Sequence, residues 1–212
     1  MPTGPWGLVL APGAGASRDH GQLVAIGDAV QGAGATVDRF DFPYRKAGRR
    51  APDRTEVLVG AVVDEVAAFT AATGLAAEQV FLGGRSMGGR MCSLAAAEGQ
   101  PCAGLVLVSY PLHPPGRPDR LRSAHFAQIR VPCLFVSGTR DAFASTSELE
   151  TEVAAINGPV TLHWLEGGDH GLRRRDAEVA AAVAGWLRPA PDHGPAQDKK
   201  PAQDKKPGPK ER

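Results

Sequence analysis

The stretch Q-V-F-L-G-G-R-S-M-G-G-R-M-C-S-L-A-A-A, residues 79–97, decides the fold. It opens as a short apolar run (79–83), passes through a glycine-rich turn carrying one hydroxyl, Ser86, and continues from Met87 as a helix of small residues to about Ala97. A strand that runs through G-x-S-x-G into a helix is a nucleophile elbow. Flanking glycines let the strand and helix approach without Cβ clashes. The hydroxyl is thereby lifted above the strand end, at the positive end of the helix.

Outward from the elbow the same grammar repeats. Trp6–Ala11 reads as a buried strand closed by Pro12-Gly13, and Asp19 to Gly32 as a helix with Asp19 and Gln22 as its capping box. Thr36–Phe42 is an alternating strand, and Thr55 to Ala72 is a helix on the broadly helical pattern of Val57, Val59, Ala61, Val62, Val66 and Phe69. Further strands are predicted at Leu105–Ser109, Pro132–Ser137 and Val160–Leu165, with helices at about 146–156 and 176–187. About six strands alternating with helices predict βαβ units: an α/β fold with a mostly parallel sheet and helices on both faces. Ligands of such sheets bind at the carboxyl ends of the strands. About 20 residues, Tyr110–Arg130, join the fourth and fifth strands, so little or no cap domain is expected.

Composition divides the chain at residue 189. Residues 189–212 hold 6 of the 18 prolines, five of the six lysines and the hexapeptide P-A-Q-D-K-K twice, at 195–200 and 201–206. A disordered Pro/Lys-rich tail is expected there, after one domain at 1–188. The formal charge of +1 gives no footprint for nucleic acid. No apolar run approaches the ~18 residues of a membrane span. Three cysteines without metal spacing, and an N-terminus M-P-T-G-P-W without a signal pattern, lead to the expectation of a cytoplasmic protein.

A serine hydroxyl needs an adjacent base, and the base an orienting acid. For this elbow the expected chain order is Ser, acid, His. Among six histidines, His170 in E-G-G-D-H-G follows the last strand on a glycine loop and is the candidate base. His193 lies in the tail, His163 inside a strand, and His20 in the first turn of a helix. His113 and His125 lie in the connection after the fourth strand without a strand-end acid. Asp141, in S-G-T-R-D-A-F after the fifth strand, is the candidate acid, ranked above Glu166 and above Asp169, whose adjacency to His170 directs its side chain away. The oxyanion donors expected are the backbone N–H of Met87 and, in the small-residue loop P-G-A-G-A after the first strand, that of Ala14, with that of Gly15 next. Arg85, Gly15 and His113 are candidate substrate contacts. Arg85 and Arg90 flank the elbow, and Arg45, Arg49 and Arg50 follow the second strand. Such clusters can hold a carboxylate or phosphate. In a body whose basic residues are almost all arginine, ion pairing with Asp38, Asp41 and Asp53 is the expected role.

The elbow G-G-R-S-M-G-G-R, the segment Y-P-L-H-P-P-G-R-P at 110–118, V-P-C-L-F-V-S-G-T-R-D at 131–141 and F-D-F-P-Y-R with R-R-A-P-D-R within 40–54 resemble small α/β-hydrolase-fold proteins. The likeness, over roughly residues 6–188, is to the dienelactone-hydrolase-like group that includes testis-expressed protein 30 and its bacterial relatives. It implies a compact α/β-hydrolase fold and the same three residues, Ser86, Asp141 and His170. Relatives often carry histidine where this chain has Pro12, a departure on the oxyanion side of the site. Dienelactone hydrolase itself uses a cysteine nucleophile, whereas this position is Ser86. The expected activity is therefore hydrolysis of a small ester or thioester through an acyl-enzyme, with no metal and no cofactor. The alternative is a scaffold or binding protein with a vestigial site, the role of a eukaryotic subunit in the wider family.

Overall fold

The computed structural model describes residues 4–187. Its strands are β1 (Gly7–Ala11), β2 (Thr36–Arg39), β3 (Val80–Arg85), β4 (Gly104–Val108), β5 (Cys133–Gly138) and β6 (Val160–Leu165). Between and after them run α1 (Gly21–Gln31), α2 (Pro43–Lys46), α3 (Thr55–Thr73), α4 (Met87–Ala97), α5 (Thr146–Val153) and α6 (Asp176–Leu187). The strands form one parallel sheet in the order β2-β1-β3-β4-β5-β6.

Strand sequence and strand position agree. The four central strands carry apolar or small residues throughout, save Arg85 at the end of β3, because both of their faces are covered. Leu23, Ile26 and Val30 of α1 and Val179 and Val183 of α6 cover one face. Val62 and Val66 of α3, Met91 and Cys92 of α4, and Leu149 of α5 cover the other. Edge strands β2 and β6 are only partly covered, which is why their sequences alternate.

Two local expectations are corrected. The second strand stops at Arg39 rather than Phe42, because Phe40, Phe42 and Tyr44 turn inward as an aromatic group and Pro43 starts the short helix α2. Helix α1 is capped by His20, not Asp19: the Gln22 N–H donates to His20 Nδ1 at 3.3 Å. The neutral ring nitrogen supplies the acceptor that a carboxylate was expected to provide.

The chain passes from β1 to β2 on one side, then crosses to β3 on the other. Strand order therefore reverses between β1 and β3, and loops leaving these two strands diverge at their carboxyl ends to open a crevice. Among the described residues no cap domain covers this edge: the connection at 109–132 holds one 3-10 turn, Phe126–Gln128. The expected boundary at 189 and the tail 189–212 lie outside the described residues.

Candidate active site

The elbow sits at this crevice. Ser86 links β3 to α4 with φ 50° and ψ −116°, a left-handed backbone uncommon for a residue with a side chain. Its N–H is tied to Val108 O at 2.8 Å, so the turn is anchored to β4. Gly84 and Gly88 are glycine for steric reasons. A Cβ at Gly84 would collide with Ala11 O and lie 2.9 Å from the Gly88 carbonyl carbon. One at Gly88 would collide with Ala11 O and lie 2.6 Å from Pro12 O. Backbone cannot yield as a flexible side chain can, so Gly88→Ala is expected to cost ~3 kcal/mol of stability. Urea unfolding of the variant checks this.

Three loops converge on the serine. The Ser86 Oγ lies 2.9 Å from His170 Nε2, and His170 Nδ1 lies 2.9 Å from both Asp141 oxygens. A carboxylate can only accept, so Nδ1 carries the proton and Nε2 is left to accept from the serine hydroxyl. The Asp141 side chain is fully buried, and its Oδ1 also accepts from the Phe143 N–H at 2.8 Å. The Phe143 ring stacks on the imidazole with centroids 3.9 Å apart, fixing its plane. The loops after β5 and β6 are joined by the Arg140 N–H donating to Gly168 O at 2.8 Å. Asp169 and Glu166, the competing acids, are exposed, and His163 is exposed on edge strand β6.

Ala14, Ser86, Met87 and His170 line one cleft of about 440 Å³, together with Arg85, Arg90, Pro111, Arg122 and Phe143. The Met87 N–H is the first of α4 and has no acceptor within the helix. Ala14 reaches the same cleft from the loop after β1. Gly15 does not serve as expected, since its N–H donates to the Tyr44 hydroxyl at 3.1 Å. That bond fixes the loop from a helix 29 residues away in sequence, beyond the reach of local pattern.

His113 is also corrected. It is 5% exposed, absent from the cleft lining, and held at Nδ1 by Pro114 O (2.8 Å) and at Nε2 by Glu148 Oε2 (3.3 Å). Its backbone N–H donates to Phe143 O at 3.1 Å, so it supports the residue stacked on His170 rather than touching the crevice. Arg85 does line the cleft, but its Nη2 donates to His170 O at 3.1 Å. Burial lowers its pKa, and Asp141, Asp169 and Asp176 oppose that by favouring the charge. Of the arginines after β2, Arg49 makes the expected ion pair with Asp53, at 2.7 Å.

Behind the cleft, His125 Nε2 meets Ser93 Oγ at 2.8 Å, while that hydroxyl donates to Arg90 O at 2.9 Å. Burial, and then the Arg90 charge, push the His125 pKa down to about 4. The unfolded chain takes up this proton near pH 6.5 and the folded chain only near 4. Stability attached to the neutral ring is thus complete above ~6.5 and lost progressively as pH falls towards 4. Urea midpoints in that window are expected to fall less steeply with acid in His125→Gln than in the wild type.

A second hollow of about 440 Å³ lies at the opposite end of the sheet, lined by Phe81, Ala103, Pro132, Pro159, Thr161 and Trp186 together with Glu78. Its hydroxyl, on Thr161, accepts from Trp186 Nε1 and faces no histidine, so it offers no activated nucleophile.

A family model described as an alpha/beta hydrolase domain matches residues 6–186. Among solved structures, the chain is similar to an alpha-beta serine hydrolase homologue from Coxiella burnetii, with 18% identity, TM-score 0.73 and 88% of each chain covered. It is similar to dienelactone hydrolase from Anabaena variabilis at 22% identity and TM-score 0.68, covering 88% of this chain and 87% of that one. A monoacylglycerol lipase from Paleococcus ferrophilus matches at 17% identity and TM-score 0.69, with coverage of 85% and 93%. At these identities the likenesses bear on the fold alone.

Proposed function

The chain belongs to the alpha/beta hydrolase family, and from that premise we propose that it is a serine hydrolase cleaving a small ester or thioester through an acyl-enzyme. The observation that carries this reading is the unbroken hydrogen-bonded line from Ser86 through His170 to buried Asp141, opening into a cleft. Ser86 Oγ attacks the carbonyl carbon while His170 Nε2 takes its proton, and Asp141 stabilises the imidazolium that forms. The N–H groups of Met87 and Ala14 receive the charge developing on the carbonyl oxygen. Collapse breaks the bond to the leaving group, which leaves with the proton from His170. Water, deprotonated by the same nitrogen, then releases the acid and restores the serine.

The backbone at Ser86 argues for a working site. Holding a serine at φ 50° costs ~1–3 kcal/mol, and here that backbone sets the Ser86 hydroxyl 2.9 Å from His170 Nε2. The finer kinship with the testis-expressed protein 30 type rests on the segments at 110–118 and 131–141 and is part of the same proposal. So are a cytoplasmic location and the assignment of the chemistry to the domain before residue 189.

Turnover of p-nitrophenyl butyrate by the purified wild type tests the reading. Release of p-nitrophenol above the buffer rate, saturating with ester, is expected. A rate no faster than buffer for this ester and for a short acyl thioester would remove the proposal's support.

A further inference from the structure

The cleft beside Ser86 holds two guanidinium groups that the proposed chemistry does not use. Arg90 lies one turn into α4 from the serine, and Arg122 is presented by the connection after β4. That connection is held in place: the Arg122 N–H donates to Leu112 O at 2.8 Å, and Arg122 O accepts from the buried Tyr110 hydroxyl at 2.9 Å. Arg122 is therefore fixed at the cleft wall by its own backbone.

Neither side chain has a carboxylate partner among the described residues. The Arg90 Nε is buried and has no acceptor. The neighbouring titratable groups supply no negative charge. His125 is kept neutral, and burial pushes the Tyr110 hydroxyl pKa upwards, so it too stays neutral. Asp141 is committed to His170 and the Phe143 N–H. Glu152 reaches the same connection but accepts from the Ser123 hydroxyl instead. Arg85 differs, with Asp141, Asp169 and Asp176 around it. Burial, then the charge of Arg90, disfavours the charged form of Arg122, so the two guanidinium groups repel each other in a partly desolvated wall.

Unpaired like charges held together beside a nucleophile cost stability unless an anion joins them. Guanidinium forks match the oxygens of a carboxylate or phosphate. We propose that Arg90 and Arg122 form an oxyanion subsite, and that the substrate of this site is an ester or thioester carrying a carboxylate or phosphate near the scissile carbonyl. This rests on the serine-hydrolase reading and adds the substrate class to it.

The test compares mono-p-nitrophenyl adipate with p-nitrophenyl hexanoate, which share their chain length and leaving group and differ in the terminal carboxylate. For the wild type, kcat/KM for the anionic ester is expected to exceed that for the neutral one by roughly tenfold or more. The gap should lie mainly in KM and shrink as salt is raised. In Arg122→Gln, and separately in Arg90→Gln, the anionic-to-neutral ratio is expected to fall about tenfold. Because each ratio is measured within one protein, a loss of folded material cancels.

A second arm uses no turnover. Glutarate and inorganic phosphate are titrated against the wild-type Tm, and the anion that raises it names the oxyanion, with the rise lost in Arg122→Gln. Equal kcat/KM for the two esters, a ratio unmoved by either substitution and no Tm rise with either anion overturn the subsite and leave the hydrolase reading standing. Absence of turnover for both esters would instead strike the hydrolase reading, and the substrate assignment with it.

Discussion

Replacing Ser86 with alanine is expected to lower kcat/KM for p-nitrophenyl butyrate by at least about 10⁴-fold while leaving the protein folded. The removed atom is the hydroxyl oxygen that lies 2.9 Å from His170 Nε2, on the far side of the ring from Asp141. What remains is the cleft with its backbone donors, which can bind an ester but cannot form the acyl-enzyme. The same position separates function from stability. Alanine still has to occupy φ 50°, whereas glycine takes that backbone freely. Ser86→Gly is thus expected to be equally inactive but ~1 kcal/mol more stable than Ser86→Ala. Initial rates and urea midpoints on the three proteins measure both effects.

Asp141→Asn is the second large effect, expected at about 10⁴-fold in kcat with little change in KM. The side chain keeps its size, so the buried site is still filled. Its hydrogen-bonding sense changes, because an amide can donate to Nδ1 of His170, which places the ring proton on Nε2. A protonated Nε2 cannot accept from Ser86, and attack stalls although every heavy atom stays near its place. Steady-state kinetics with the same ester distinguish this from a packing defect, which would also lower the unfolding midpoint.

Much of this arrangement was legible in the sequence because it is carried by local signals. The elbow announces itself where an apolar strand meets G-R-S-M-G and a helix of small residues. The sheet follows from strands that are uninterrupted in the middle and alternating at the edges. Asp141 and His170 each lie directly after a strand, so the parallel sheet brings both to the edge where Ser86 stands. The features that escaped depend on contacts between distant segments. Nothing around Gly15 signals that Tyr44 will take its N–H, and nothing around His113 signals Glu148. Arg85 was legible as a cation near the site, but its bond to His170 O spans 85 residues. Arg122 carried no signal because its place in the cleft depends on Tyr110 folding back to receive its carbonyl. His20 escaped for a chemical reason, since a histidine cap needs its neutral Nδ1 aimed at the helix and the sequence does not state a tautomer.

The central claim is that Ser86 is a nucleophile, and covalent labelling tests it most directly. The purified wild type is incubated with a fluorophosphonate, and the adduct is located by peptide mass spectrometry. A single phosphonyl adduct on Ser86, absent from Asp141→Asn over the same interval, is the predicted result. An unlabelled Ser86 in folded wild-type protein, or an adduct on another serine, would contradict it.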